Sequence, residues 1–144
     1  MQPEYIDIAP KTWVHNAEQA WMAVKRHFKG IGDGMAGELR AHAEPIAWNR
    51  EETEATAKLL GKTLVFRLKL VLSRTSRAYV GECEVFELRK VREVDEVQAL
   101  GAFQITVDGQ TNLSDAEHQT LYSFPEVGAH IIPHYLRKTI EPVL

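Results

Sequence analysis

Gly32-Asp33-Gly34-Met35-Ala36-Gly37 fits GxGxxG, the turn that brings backbone N–H groups close to a pyrophosphate at a helix N-terminus. That turn belongs between a buried strand and a helix, whereas here an amphipathic stretch precedes it and no run of βα units follows. The spacing therefore argues against a dinucleotide site. Glu126, His130 and His134 recur every four residues and would share one face of a continuous helix, as metal ligands do. Pro133 between the histidines argues for a helix that begins there, leaving His130 in the preceding loop and no ligand set. Ser114, Asp115, His118 and Ser123 contain the residue types of a hydrolase but no GxSxG elbow. Cys83 is the lone cysteine, lies in an alternating apolar segment and reads as packing. No catalytic residue, metal ligand or cofactor is assigned from these patterns, and the expectation is a non-enzyme.

Positive charge gathers along Arg67, Lys69, Arg74, Arg77, Arg89, Lys90 and Arg92, which could line a groove for an anion. Without interleaved aromatics, a solvated sheet surface guarded by charge is preferred. The net charge of −3 gives the whole molecule no general attraction to nucleic acid or an anionic membrane. No apolar run approaches the ~20 residues of a membrane helix, and no secretory signal is expected, because Glu4 and Asp7 lie within Met1 to Pro10. A cytoplasmic protein that binds neither membrane nor nucleic acid is expected.

These residues must be positioned by a chain of 144 residues with 44% hydrophobic content, which suits one domain with one core. Ala17, Ala20, Trp21, Val24 and Phe28 lie on one helical face, with Asn16 as a candidate N-cap. Gly30, Gly32 and Gly34 predict a hinge or turn, and Met35 to Ala43 a short resumed helix closed by Pro45. From residue 46 the period becomes two. Leu64, Phe66, Leu68, Leu70 and Leu72 form one strand face, Arg77 to Arg92 a second strand, and Val97 to Val107 a third ending at the turn Asp108-Gly109. A further strand begins near Trp48. Ser114 with Glu117 predicts a capped helix through Tyr122, and Pro133 the first turn of a last helix through Ile140. The expected fold is α+β: a central antiparallel sheet of about four strands, a helical segment over residues 1–45, and C-terminal helices packed on the sheet.

Gly81-Glu82-Cys83-Glu84-Val85-Phe86, Gly101-Ala102-Phe103-Gln104-Ile105 and Pro125 to Ile140, with Ile131-Ile132-Pro133-His134-Tyr135-Leu136-Arg137, together resemble the SecB export-chaperone family. The resemblance covers about the last two-thirds of the chain. It implies a four-stranded sheet backed by helices, assembled as a dimer of dimers, that holds unfolded polypeptide in apolar grooves. It also implies that Cys83 and Val85 lie on a subunit-contact strand and that Glu84 occupies an acidic position used to dock the translocation motor. Relative to that pattern the first 45 residues are replaced, and Val91 to Ala99 reads as an insertion lengthening a tight connection.

The functional expectation is an ATP-independent holdase or dedicated chaperone binding an unfolded client, with Phe86, Phe103, Tyr122, Phe124 and Tyr135 lining its groove. Tyr79, Cys83 and Val85 form an apolar strand face expected to be left partly uncovered by helices and to join copies as a dimer or tetramer. The alternative is a small inhibitor or antidote, of phage or toxin–antitoxin type, that binds one folded partner. An enzyme with a histidine-centred site ranks third.

Overall fold

A computed structural model describes residues 10–39, 45–73, 77–114, 121–123 and 128–140. Helix α1, Pro10–Leu39, is 30 residues long and unbroken. It opens on Pro10, whose fixed φ and missing N–H suit a first helical position, so Asn16 lies inside the helix rather than capping it. The hinge expected at Gly30 to Gly34 is likewise absent. Packing decides this: Phe28 and Ile31 are buried on the sheet, and Gly32 lies so close to Trp48 that a Cβ there would overlap the indole. The glycines cost helix stability, about 1 kcal/mol each, but Gly32 admits a ring that a larger residue would exclude. The GxGxxG segment is thus helical and offers no phosphate loop.

Seven strands follow: β1 Ala47–Trp48, β2 Glu54–Leu59, β3 Lys62–Leu72, β4 Tyr79–Val91, β5 Val94–Ile105, β6 Gln110–Ser114 and β7 Leu121–Ser123. Strands β1 to β6 form one antiparallel sheet in chain order, and β7 pairs with β6 beyond it. The architecture is α+β as expected, but its main sheet has six strands, not about four. The region near Trp48 divides into two strands, because Asn49 turns the chain, its side-chain oxygen accepting the N–H groups of Thr53 and Glu54 at 2.8 and 3.0 Å. The helix expected from Ser114 through Tyr122 is overturned at both ends, Ser114 closing β6 and Tyr122 lying in β7; the capping position Glu117 falls outside the described residues.

Val91 to Ala99 is no long connection either. Strands β4 and β5 pair down to Val91↔Val94 around a two-residue turn, Arg92 and Glu93, with φ of 53° and 66°. Positive φ at both positions is the turn geometry whose twist matches a hairpin. Helix α2, Gly128–Thr139, starts earlier than expected and contains Pro133 in its interior.

The pleat separates two faces. Ala55, Phe66, Leu68, Cys83, Val85, Phe103 and Ile105 face α1 and α2 and close a core with Val24, Phe28, Ile31, Ile132 and Tyr135. Register places Phe66 opposite Val85 and Leu68 opposite Cys83, so one buried stripe crosses the strands. Gly81 sits where α1 comes nearest: a Cβ there would lie 2.9 Å from Leu68 Cδ1 and 3.2 Å from Val24 Cβ.

Candidate functional site

The open face carries the alternate residues. Arg67 Nε donates to Glu54 Oε2 at 3.2 Å, and its guanidinium lies 5.3 Å from the Phe86 ring centroid. Lys69 lies 2.8 Å from Glu84 and 3.6 Å from Glu82. Hydrogen bonding to Glu84, followed by its charge, raises the Lys69 pKa. These ladders join neighbouring strands and leave Arg67 and Lys69 matched by carboxylate, as the preference for a charge-guarded surface expects. Glu84, the expected docking residue, is half-buried and engaged by Lys69, so a partner binding it would have to displace that ammonium.

The aromatics expected to share a groove do not share a surface. Phe103 and Tyr135 are both 2% exposed in the core, their ring centroids 6.1 Å apart. Phe86 is half-buried on the opposite face. Tyr122 belongs to β7, its side chain outside the description, and Phe124 lies outside the described residues. Alternation explains the division, since Phe86 is odd-spaced from Val85 and Phe103 pairs with Cys83. Cys83 and Val85 are 0% exposed beneath the helices, so they offer no contact surface; only Tyr79 of the expected interface stays half-buried, against Trp13 at 6.4 Å. Burial, with Glu84 adding, lifts the Cys83 thiol well above its ordinary range, and burial raises the Tyr135 phenol strongly. A thiol so disfavoured as thiolate is a core side chain and a poor nucleophile.

Helix α2 does carry His130 and His134 through Pro133, contrary to the expected break. His134 packs edge-on to Tyr135 at 4.8 Å; burial first, then Lys138 and Arg137, lowers its pKa. Glu126 and His118 lie outside the described residues, and no group of three metal-binding side chains occurs among those described. A cleft of about 550 Å³ between β4 and the end of α2 contains buried Glu87. Its one carboxylate is held by two of the three lining cations: Glu87 takes Arg89 at 2.7 Å and Lys62 at 3.8 Å, while Lys62 donates to the Thr139 carbonyl at 3.3 Å. This arrangement ties α2 to the sheet.

Strand β5 supplies the feature that sequence reasoning missed. Its inner edge pairs with β4 throughout, but β6 pairs with it only at Ile105↔Thr111, so among the described residues no strand covers the outer edge of Val94 to Gln104. Asn112 closes one end, its side-chain oxygen accepting the Gln104 N–H at 2.7 Å. The register with β4 skips Leu100, a bulge between Val85↔Gly101 and Phe86↔Ala99, and there Lys138 donates to the Leu100 carbonyl at 3.2 Å. Between and beyond these contacts the hairpin is exposed, with Val94 and Val97 each 63% exposed and Leu88 42% exposed beside them. No described helix is long and apolar enough to cross a membrane. No family model, curated protein or solved structure matches the chain.

Proposed function

We propose that the protein is a SecB-like, ATP-independent polypeptide binder that takes an extended client segment as an added strand along the outer edge of β5. The observation that carries this reading is the edge from Val94 to Phe103, which no strand covers among the described residues, with exposed Val94, Val97 and Ala99 along it. Added-strand binding draws affinity from backbone hydrogen bonds that any sequence supplies and selects through alternate side chains. Such chemistry suits unfolded clients, uses no covalent step and needs no nucleotide. The buried aromatics support the platform from below, with Phe103 anchoring β5, instead of touching the client.

The test follows aggregation of a chemically unfolded client with and without the protein, together with hydrogen exchange of residues 94–103. Suppressed aggregation and slowed exchange along this edge are expected. A Val97→Lys, Ala99→Lys variant should fold normally and lose both effects, because lysines discourage further pairing at an edge. A protein that ignores unfolded segments but captures one folded partner would overturn the client reading in favour of an inhibitor or antidote.

A further inference from the structure

Along the β5 edge the free backbone groups and the apolar side chains belong to the same residues. The two-residue turn makes Val91 and Val94 the last pair to exchange hydrogen bonds between β4 and β5. Alternation then turns the backbone groups of Val94, Glu96 and Gln98 towards β4 and aims those of Asp95, Val97 and Ala99 outward. Carried across the Leu100 bulge through Val85↔Gly101, the same alternation directs the Gln104 N–H outward, where Asn112 takes it. Register places Val97 and Ala99 on the open face, where two cross-strand rows end: Val65, Phe86 and Ala99 in one, Thr63, Leu88 and Val97 in the other. Exposure rises along the first row from buried Val65 through half-buried Phe86 to exposed Ala99, and the second ends on exposed Leu88 and Val97. Among the described residues neither row has an apolar neighbour on its outer side. Asp95 and Glu96 face Lys90 and Arg89 across the hairpin, so charge selects little along this stretch.

We propose that the edge selects client segments with two apolar side chains two residues apart, which come to lie on the open face beside Ala99 and Val97. The proposal rests on the client-binding reading and names the class of segment taken. An added strand paired with Asp95, Val97 and Ala99 puts its directly opposite residues on that same face, with Cβ atoms about 5 Å from their partners. The residue opposite Val97 extends the Leu88 row. The one opposite Ala99 reaches across that small side chain towards the Phe86 ring, which favours an aromatic there. The bulge at Leu100, whose carbonyl takes Lys138, closes the stretch at one end and the Arg92-Glu93 turn closes it at the other. A segment with its apolar residues three apart, as on a helical face, sends the second of them to the helix side, the side of Glu96 and Gln98.

The test uses two acetylated, amidated heptapeptides of one composition, phenylalanine and valine among threonine and lysine, with the apolar pair either two or three positions apart. Fluorescence anisotropy of the labelled peptides should show about tenfold tighter binding for the spacing of two, the worth of one apolar side chain taken out of water. Residue-resolved hydrogen exchange should slow at the outward amides of Asp95, Val97 and Ala99 and stay unchanged at Glu96 and Gln98, which already pair with β4. Val97→Thr keeps shape and backbone groups, so it should leave Tm unchanged and cut the preference to about threefold. Equal binding of the two peptides, or a preference that Val97→Thr leaves intact, overturns the selection while protected edge amides uphold the client-binding reading. Protection elsewhere in the chain overturns the site. If neither peptide binds, the selection falls, and the client-binding reading falls with it only where an unfolded client also leaves the edge amides unprotected.

Discussion

Replacing Gly32 by alanine should destabilise the protein, against the ordinary gain of about 1 kcal/mol for this change inside a helix. A Cβ built on Gly32 overlaps the Trp48 indole, so the ring or the helix must move. The ring is held on two sides, edge-to-face on Phe28 with centroids 5.4 Å apart and beneath Lys29 Nζ at 4.2 Å. Displacement forfeits part of an aromatic contact worth roughly 1 kcal/mol and a cation–π contact of about 0.5–1 kcal/mol, within the 1–3 kcal/mol typical of overpacking. Subtracting the helix gain leaves a net loss of roughly 0.5–1 kcal/mol, a fall of about 2–4 °C in Tm for a domain of this size. Thermal and urea unfolding of Gly32→Ala, Trp48→Leu and the double variant would separate the contributions. In the Trp48→Leu background the substitution should turn neutral or stabilising. An increase in Tm for Gly32→Ala in the otherwise native chain would refute the argument, because it would mean that the indole leaves room for a Cβ and only the helix gain is felt.

Leu60 is 69% exposed and opens the β2–β3 turn at φ 51°, followed by Gly61 at φ 72°, so Leu60→Asn should stabilise by about 1 kcal/mol, read as a higher Tm. Arg89→Ala removes the nearer cation from Glu87, itself 1% exposed, and should cost about 3 kcal/mol in urea unfolding, with part recovered by adding Glu87→Gln. His134 has its pKa lowered from 6.5, so the unfolded chain takes up its proton first on acidification. Its contribution to stability therefore falls as pH drops through 6.5 and levels out below the folded pKa; stability–pH curves for native protein and His134→Asn should converge above that range and diverge below it.

Strands were legible where one face is apolar. The leucines from 64 to 70, the alternation through Cys83 and Val85, and Phe103 with Ile105 each fixed a strand and its parity, and Asp108-Gly109 marked a turn. Features set by distant partners were not. The continuity of α1 depends on Trp48 and the sheet, neither of which a helical window contains. Ser114 with Glu117 has the spacing of a capping box, yet β6 is a short polar strand whose Thr111 is buried against β5. The β4–β5 turn uses Arg92 and Glu93 in place of Asn and Gly, so the longest hairpin resembled an insertion. Alternation within one strand tells neither which residues of different strands share a face, which depends on register, nor which face the helices cover; that is why Phe86 and Phe103 were expected in one groove, and Phe103 and Tyr135 at a surface they do not reach.

The division of the sheet explains why an edge is the better candidate than either face. On the helix side, Cys83, Val85, Phe66 and Phe103 have no contact left to make, and exposing them would cost the core itself. On the open side, a partner meets Arg67 and Lys69 already held by Glu54, Glu82 and Glu84, and must exchange solvated ion pairs for new ones at little net gain. The outer edge of β5 differs in kind, because its backbone groups are directed outward and spaced to match any extended chain. Binding there disrupts no pairing within the monomer and adds apolar contact at Val94 and Val97. The positions at which substitution should alter binding while sparing stability are therefore the exposed residues among 94–99, whereas changes to the conspicuous core aromatics should act first on folding.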